Sequence, residues 1–155
     1  MKTKFLKSIG LALLGLSILP ACQSKHHDEK PGITESNETA PIEVIYFYGK
    51  QRCVTCMAME KFAKEAVDSV FRDKINDGTI IFKSVDITTP EGERLADRFE
   101  VSSSSLYIVD NNPNNPEKID MTAFGFRNAR NNRHAYKQGI IDIGLQRSEY
   151  KHFLR

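Results

Sequence analysis

The stretch YFYGKQRCVTCMAMEKFAKE, residues 46–65, begins apolar and aromatic, turns basic at Lys50 and Arg52, and sets two cysteines three positions apart where a helix begins. Upstream, IEVIYFY (42–48) is rich in β-branched and aromatic residues and ends at Gly49, the pattern of a buried strand. Downstream of Cys53, the apolar residues Met59, Phe62, Ala63, Ala66, Val67, Val70 and Phe71 recur at the spacing of one helix face, with Glu60, Lys61, Lys64, Glu65 and Asp68 at the other positions. A strand therefore runs straight into a helix, with Cys53 and Cys56 at the junction. Three chemistries are open to such a pair: a redox centre, a grip for a soft metal, or a local covalent staple.

Working outward, Asn76-Asp77-Gly78 is expected to end this helix, and TIIFKSVDI (79–87) reads as a second strand. Thr88, Thr89 and Pro90 form a helix start ahead of EGERLADRF, which carries glutamates in its first turn. SSLYIVD (104–110) reads as a third strand, NNPNNPE (111–117) as a turn, and KIDMTAF (118–124) as an antiparallel fourth strand. A last helix from about Asn132 places Tyr136, Ile140, Ile143 and Gly144 on one side. The expected order is β-α-β-α-β-β-α without internal repeats, an α/β domain with a mixed central sheet flanked by helices.

The N-terminal end reads differently. MKTKFLKSIGLALLGLSILPAC (1–22) has lysines at 2, 4 and 7, a short apolar run from Ile9 to Leu19, and a small residue before a cysteine. This is the layout of an export signal, too short and wrongly flanked for a spanning helix. Its closing LPAC resembles a bacterial lipobox, which implies cleavage after residue 21, lipidation of Cys22 and a membrane anchor. An exported chain with a third, unpaired thiol would otherwise carry a reactive liability. Residues 22–41 are polar, hold Pro31, Gly32 and Pro41, and read as a flexible tether in which His26 and His27 are solvated polar residues. The globular part is then one domain, 42–155, facing the cell envelope on its periplasmic or outer side. The whole chain of 155 residues has 22 lysines and arginines against 20 acidic side chains; Lys2, Lys4 and Lys7 leave with the signal, so 19 basic side chains remain and the net charge is −1. No nucleic-acid role follows from that balance.

With a C-x-x-C at the end of the first strand, the element order resembles the thioredoxin fold over residues 42–147. Within that superfamily, YFYGKQRCVTCMAMEKFAKEA and the F-x-x-A-R segment from Phe126 to Arg130 resemble small thioredoxin-like subunits of a nitrophenyl-compound nitroreductase, although no residue here performs nitro reduction. The resemblance implies a helix N-terminus that favours negative charge at Cys53, which becomes the nucleophile, with Cys56 as the buried resolving thiol. Lys50 and Arg52 are close enough in sequence to support the thiolate. The implied activity is thiol–disulfide exchange with a protein disulfide or dithiol, needing no cofactor beyond the two cysteines. Three departures stand out. Val54 and Thr55 separate the cysteines and Arg52 precedes them, where thioredoxins carry Gly-Pro and an aromatic residue. Ser104 or Ser105 takes the place of the family's cis-proline, and without proline that loop is expected to be trans. The acid of the first strand has no counterpart among Ile45, Tyr46 and Phe47, so Tyr46 or Tyr48 is expected to fill its space.

Rival readings rest on other residues. Two thiolates bind Cu(I), zinc or arsenite, and Met57, Met59 or His134 could add a ligand, although Met59 also fits the helix core stripe. A staple closing so short a loop constrains little of the unfolded chain. FGFRNARNNRHAYK (124–137) gathers Arg127, Arg130, Arg133, His134 and Lys137, either as a face for an acidic partner or anion or as a solvated surface, with Phe124 and Phe126 read as a strand end or a partner patch, burial against the sheet being the default. A further class is an adaptor that keeps the fold without turnover, supporting a partner enzyme.

Overall fold

The computed structural model describes residues 40–153, so the expected signal, Cys22, and His26 and His27 lie outside the described residues. The central element is strand β1 (Ile42–Tyr48), whose first six residues are all buried. β1 pairs in parallel with β2 (Ile80–Asp86) and antiparallel with β3 (Ser105–Asp110), so that Ile42 faces Ile80 on one side and Asp110 on the other. β4 (Glu117–Asp120) adds antiparallel to β3, giving the order β2-β1-β3-β4.

Side chains of β1 alternate between two cores, as strand geometry requires. Ile42, Val44 and Tyr46 join Met59, Ala63, Ala66 and Val67 of helix α1 (Val54–Val70) and Tyr136 and Ile140 of the last helix, α5 (Arg133–Phe153). Ile45 and Phe47 face the opposite side, where Ala96, Leu95 and Phe99 of α3 (Pro90–Phe99) cover them. Helices thus lie on both faces of a mixed four-stranded sheet, in the strand order and directions of the thioredoxin fold. Ala40, ahead of β1, is buried and its carbonyl accepts from the Asn111 side chain at 2.8 Å.

The helix starts follow from local chemistry. Thr89 caps α3 by accepting from the Gly92 N–H at 3.1 Å, with Pro90 in the first turn, as the sequence predicts. Two elements differ from expectation. The first helix does not run on to Asn76: it stops at Phe71, where the backbone leaves helical geometry, and a one-turn helix α2 (Arg72–Asn76) follows. Phe71 is buried there against Gly144, where a Cβ would sit 2.7 Å from the Phe71 ring. The same break leaves Val70, expected on the buried face, 45% exposed. The fourth strand ends at Asp120, and the Thr-Ala-Phe read as its continuation opens α4 (Thr122–Asn128) instead. The Asp120 carboxylate accepts from the Thr122 N–H at 2.7 Å and turns the chain, while the Leu106 N–H donates to the Thr122 hydroxyl at 3.0 Å. Phe124 and Phe126 are therefore helical residues, not a strand end, and Phe126 is exposed.

Candidate active site

Cys53 ends the loop leaving β1 and is the N-cap of α1, with an extended backbone. Cys56 lies in the first turn and is bonded to it as a disulfide, the Cα atoms 4.9 Å apart. The two sulfurs sit in different surroundings: Cys53 is exposed, whereas Cys56 is 6% exposed and heads the buried stripe of Met59 and Ala63. The Cys56 N–H donates to the Cys53 Sγ at 3.0 Å, so one of the unpaired amides of the helix start already serves that sulfur. Amides and helix dipole together favour negative charge at Cys53 once the pair is reduced.

Beside the disulfide runs a groove of about 490 Å³ lined by Lys50, Cys56, Thr88, Ser102, Ser103, Ser104 and Phe126 among others. Val54 and Met57, which adjoin the cysteines in sequence, are exposed apolar residues of the same helix start. Lys50 and Ser104 share this groove with Cys56, Ser104 from a buried position on the loop before β3. Ser105 does not line the groove; it is buried and its hydroxyl donates to the Ser103 carbonyl at 3.2 Å. No cis peptide bond occurs among the described residues, in line with the missing proline.

Arg52 packs over two tyrosines of β1. Its guanidinium carbon lies 4.5 Å from the Tyr48 ring centre and 5.8 Å from that of Tyr46, and the group forms an ion pair with Glu60 of α1. Glu60 also accepts from the Ser84 hydroxyl on β2. Partial burial works against the charge of Arg52, but Glu60 and the Tyr46 hydroxyl outweigh it, and the guanidinium is held protonated more firmly than usual. Tyr46 of β1 is fully buried, and its hydroxyl donates to the Cys56 carbonyl at 2.7 Å. The sequence pattern places Glu60 only among the polar positions of the helix and does not mark Ser84. Glu60 follows Cys56 by four positions and so shares its helix face, which is the one local signal available; Ser84 reaches it only through sheet pairing.

Of the ligands a metal grip could recruit, Met57 adjoins Cys56 and is exposed, whereas Met59 and His134 lie elsewhere. Met59 is fully buried in the core, beneath Gly125 of α4. His134 lines a separate groove with Ser69 and Lys137, at the far end of α1 from the cysteines. In the basic segment, Arg133 and Lys137 share the Glu65 carboxylate at 3.1 and 3.5 Å, and Arg133 lies over the Phe62 ring.

No protein-family model matches the chain, and no curated protein matches it. Among solved structures it is similar to human ERp44 form I, at 19% identity and a TM-score of 0.48, over 69% of this chain and 25% of that one. The zinc-bound form of human ERp44 gives 18% and 0.47, over 69% and 26%. A thioredoxin from Thermus thermophilus in solution gives 20% and 0.45, over 68% of this chain and 75% of that one. The chain thus spans about a quarter of the ERp44 chains it resembles. None of these three structures is a nitroreductase. The fold assignment rests on strand order and register within the molecule itself.

Proposed function

We propose that this chain is a thiol–disulfide oxidoreductase that exchanges disulfides with protein partners through Cys53 and Cys56. One observation carries the reading: an exposed cysteine capping a helix is bonded to a buried cysteine one turn on, beside an open groove. In the reducing direction the Cys53 thiolate attacks one sulfur of a partner disulfide, that S–S bond breaks, and the released partner thiolate takes up a proton. The mixed disulfide is then attacked by Cys56, which forms the Cys53–Cys56 bond and frees the second partner thiol. The partner gains two electrons and the pair loses them; the reverse course oxidises a partner dithiol. The apolar Val54, Met57 and Phe126 around the disulfide suit a polypeptide partner better than a small thiol. The export signal and the lipobox-like LPAC support a lipid-anchored location in the cell envelope.

A second reading, a thioredoxin-fold protein that holds a soft metal or supports a partner enzyme without turnover, is favoured by the serines replacing proline and by Tyr46 in the acid's place. The nitroreductase-like string belongs with this reading as an association with an enzyme. Two variants separate the readings. Cys56→Ser is expected to accumulate mixed disulfides with client proteins through Cys53, and Cys53→Ser to abolish reduction of insulin disulfides. A parent protein that neither reduces insulin nor forms trapped adducts as Cys56→Ser would move the assignment to the second reading.

A further inference from the structure

The charged groups around the disulfide form a compensated set. Lys50 and Arg52 come from the loop after β1, Glu60 from α1 and Asp86 from the end of β2, with the phenols of Tyr46 and Tyr48 on β1. Lys50 is the one charged residue among the described residues lining the groove. Asp86 is held below the usual carboxylate range, first by hydrogen bonds from Thr88 and in smaller part by the fields of Lys50 and Arg52. Arg52 directly precedes the exposed cysteine, yet its guanidinium is engaged by Glu60 and lies over Tyr48, and its buried Nε has no hydrogen-bond partner. Glu60 is itself fixed from a second side by Ser84. The cation best placed by sequence to stabilise a Cys53 thiolate is thus tied to an anion anchored on two elements.

We propose that Glu60 is a positioning residue that sets the thiolate stability of Cys53 by sequestering Arg52. The inference rests on the exchange reading of the pair and adds the residue that tunes it. With Glu60 in place, the Arg52 charge is largely neutralised before it acts on the sulfur. Neutralising Glu60 leaves a full positive charge one residue from Cys53. The thiolate, and with it the reduced form, gains stability, and the pair becomes a stronger oxidant.

The test uses the full chain with Cys22→Ser, so that Cys53 and Cys56 are the only thiols, in four forms: parent, Glu60→Gln, Arg52→Gln and the double variant. The side-chain amide of Glu60→Gln can still accept from Ser84, which keeps the fold, and far-UV circular dichroism confirms it for each form. Two readouts are taken, the pH midpoint of Cys53 alkylation in reduced protein and the equilibrium with glutathione. Glu60→Gln is expected to lower the alkylation midpoint and to shift the glutathione equilibrium roughly tenfold toward the dithiol, about 30 mV for a two-electron couple. Arg52→Gln is expected to move both readouts the other way, and to do so more strongly in the Glu60→Gln background than in the parent. A purely structural role for the ion pair would move both single variants in the same direction. Unchanged midpoints in Glu60→Gln, or equal Arg52→Gln effects in both backgrounds, would overturn the inference while leaving the exchange activity standing. A parent without a reversible glutathione couple would instead remove the exchange reading, and the alkylation midpoints alone would then decide the role of Glu60.

Discussion

Two tyrosine hydroxyls hold the redox end of α1 from beneath: Tyr46 donates to the carbonyl of Cys56 and Tyr136 to that of Met59, at 2.7 and 2.9 Å. Both rings are fully buried. Burial, and then the neighbouring Tyr46 phenol, push the Tyr136 hydroxyl far above the ordinary tyrosine range. The sign follows from the raised value: the neutral phenol stabilises the fold fully below about pH 10, and that contribution is lost as the pH rises further. Urea unfolding followed from about pH 9 to 11.5 is therefore expected to show a steep alkaline loss of stability in the parent and a shallower one in Tyr136→Phe. The variant would start lower by about 1 kcal/mol for the missing hydrogen bond. Parallel curves for the two proteins would contradict the assignment. At this scale the sequence showed the cysteine pair, because Cys53 and Cys56 announce themselves by spacing, but not how Arg52 is held. That depends on Glu60 and Ser84, which lie 8 and 24 positions from their partners and meet only after folding.

Among the elements, those with local start signals were legible and those shaped by packing were not. β1 and α3 read correctly because β-branched runs and a Thr-Pro cap act within a few residues. The break of the first helix at Phe71 answers to the small residue Gly144 on α5, more than seventy positions away, and no pattern near Phe71 marks it. The switch from β4 to α4 had a local signal in Asp120 and Thr122, but the apolar Met121, Ala123 and Phe124 are compatible with either period. Two glycines distinguish rigid from yielding contacts between elements. A Cβ on Gly92 in α3 would lie 1.9 Å from the Asp86 carbonyl oxygen, which is backbone and cannot turn aside. On Gly125 in α4 it would lie 2.6 Å from the terminal methyl of Met59, a side chain that readily adopts another rotamer. Gly92→Ala is expected to cost about 1–3 kcal/mol. Gly125→Ala is expected to stay within about 1 kcal/mol of the parent, helped by the better helix propensity of alanine. Urea midpoints decide it, and equal losses in the two variants would contradict the contrast.

Across the described domain, helices α1 and α5 on one face of the sheet and α3 on the other bury the first six residues of the central strand and leave the exposed Cys53 beyond its end. The sequence yielded this architecture because the apolar run of β1 and the apolar stripe of α1 flank the cysteines directly. Under the exchange reading, the fold supplies a rigid floor, two hydrogen-bonding tyrosines and a helix start, while the loop carrying Ser102, Ser103 and Ser104 supplies one wall of the groove where a partner chain would approach. The most direct measurement is the reduction potential of the Cys53–Cys56 pair in the full chain with Cys22→Ser, by glutathione titration, together with the pH dependence of Cys53 alkylation. The expected result is a reversible two-electron couple between about −270 and −120 mV, with Cys53 reacting as a thiolate below the ordinary cysteine value of about 8.5. A pair that resists reduction below about −300 mV, or a Cys53 that titrates as an unperturbed thiol, would contradict it.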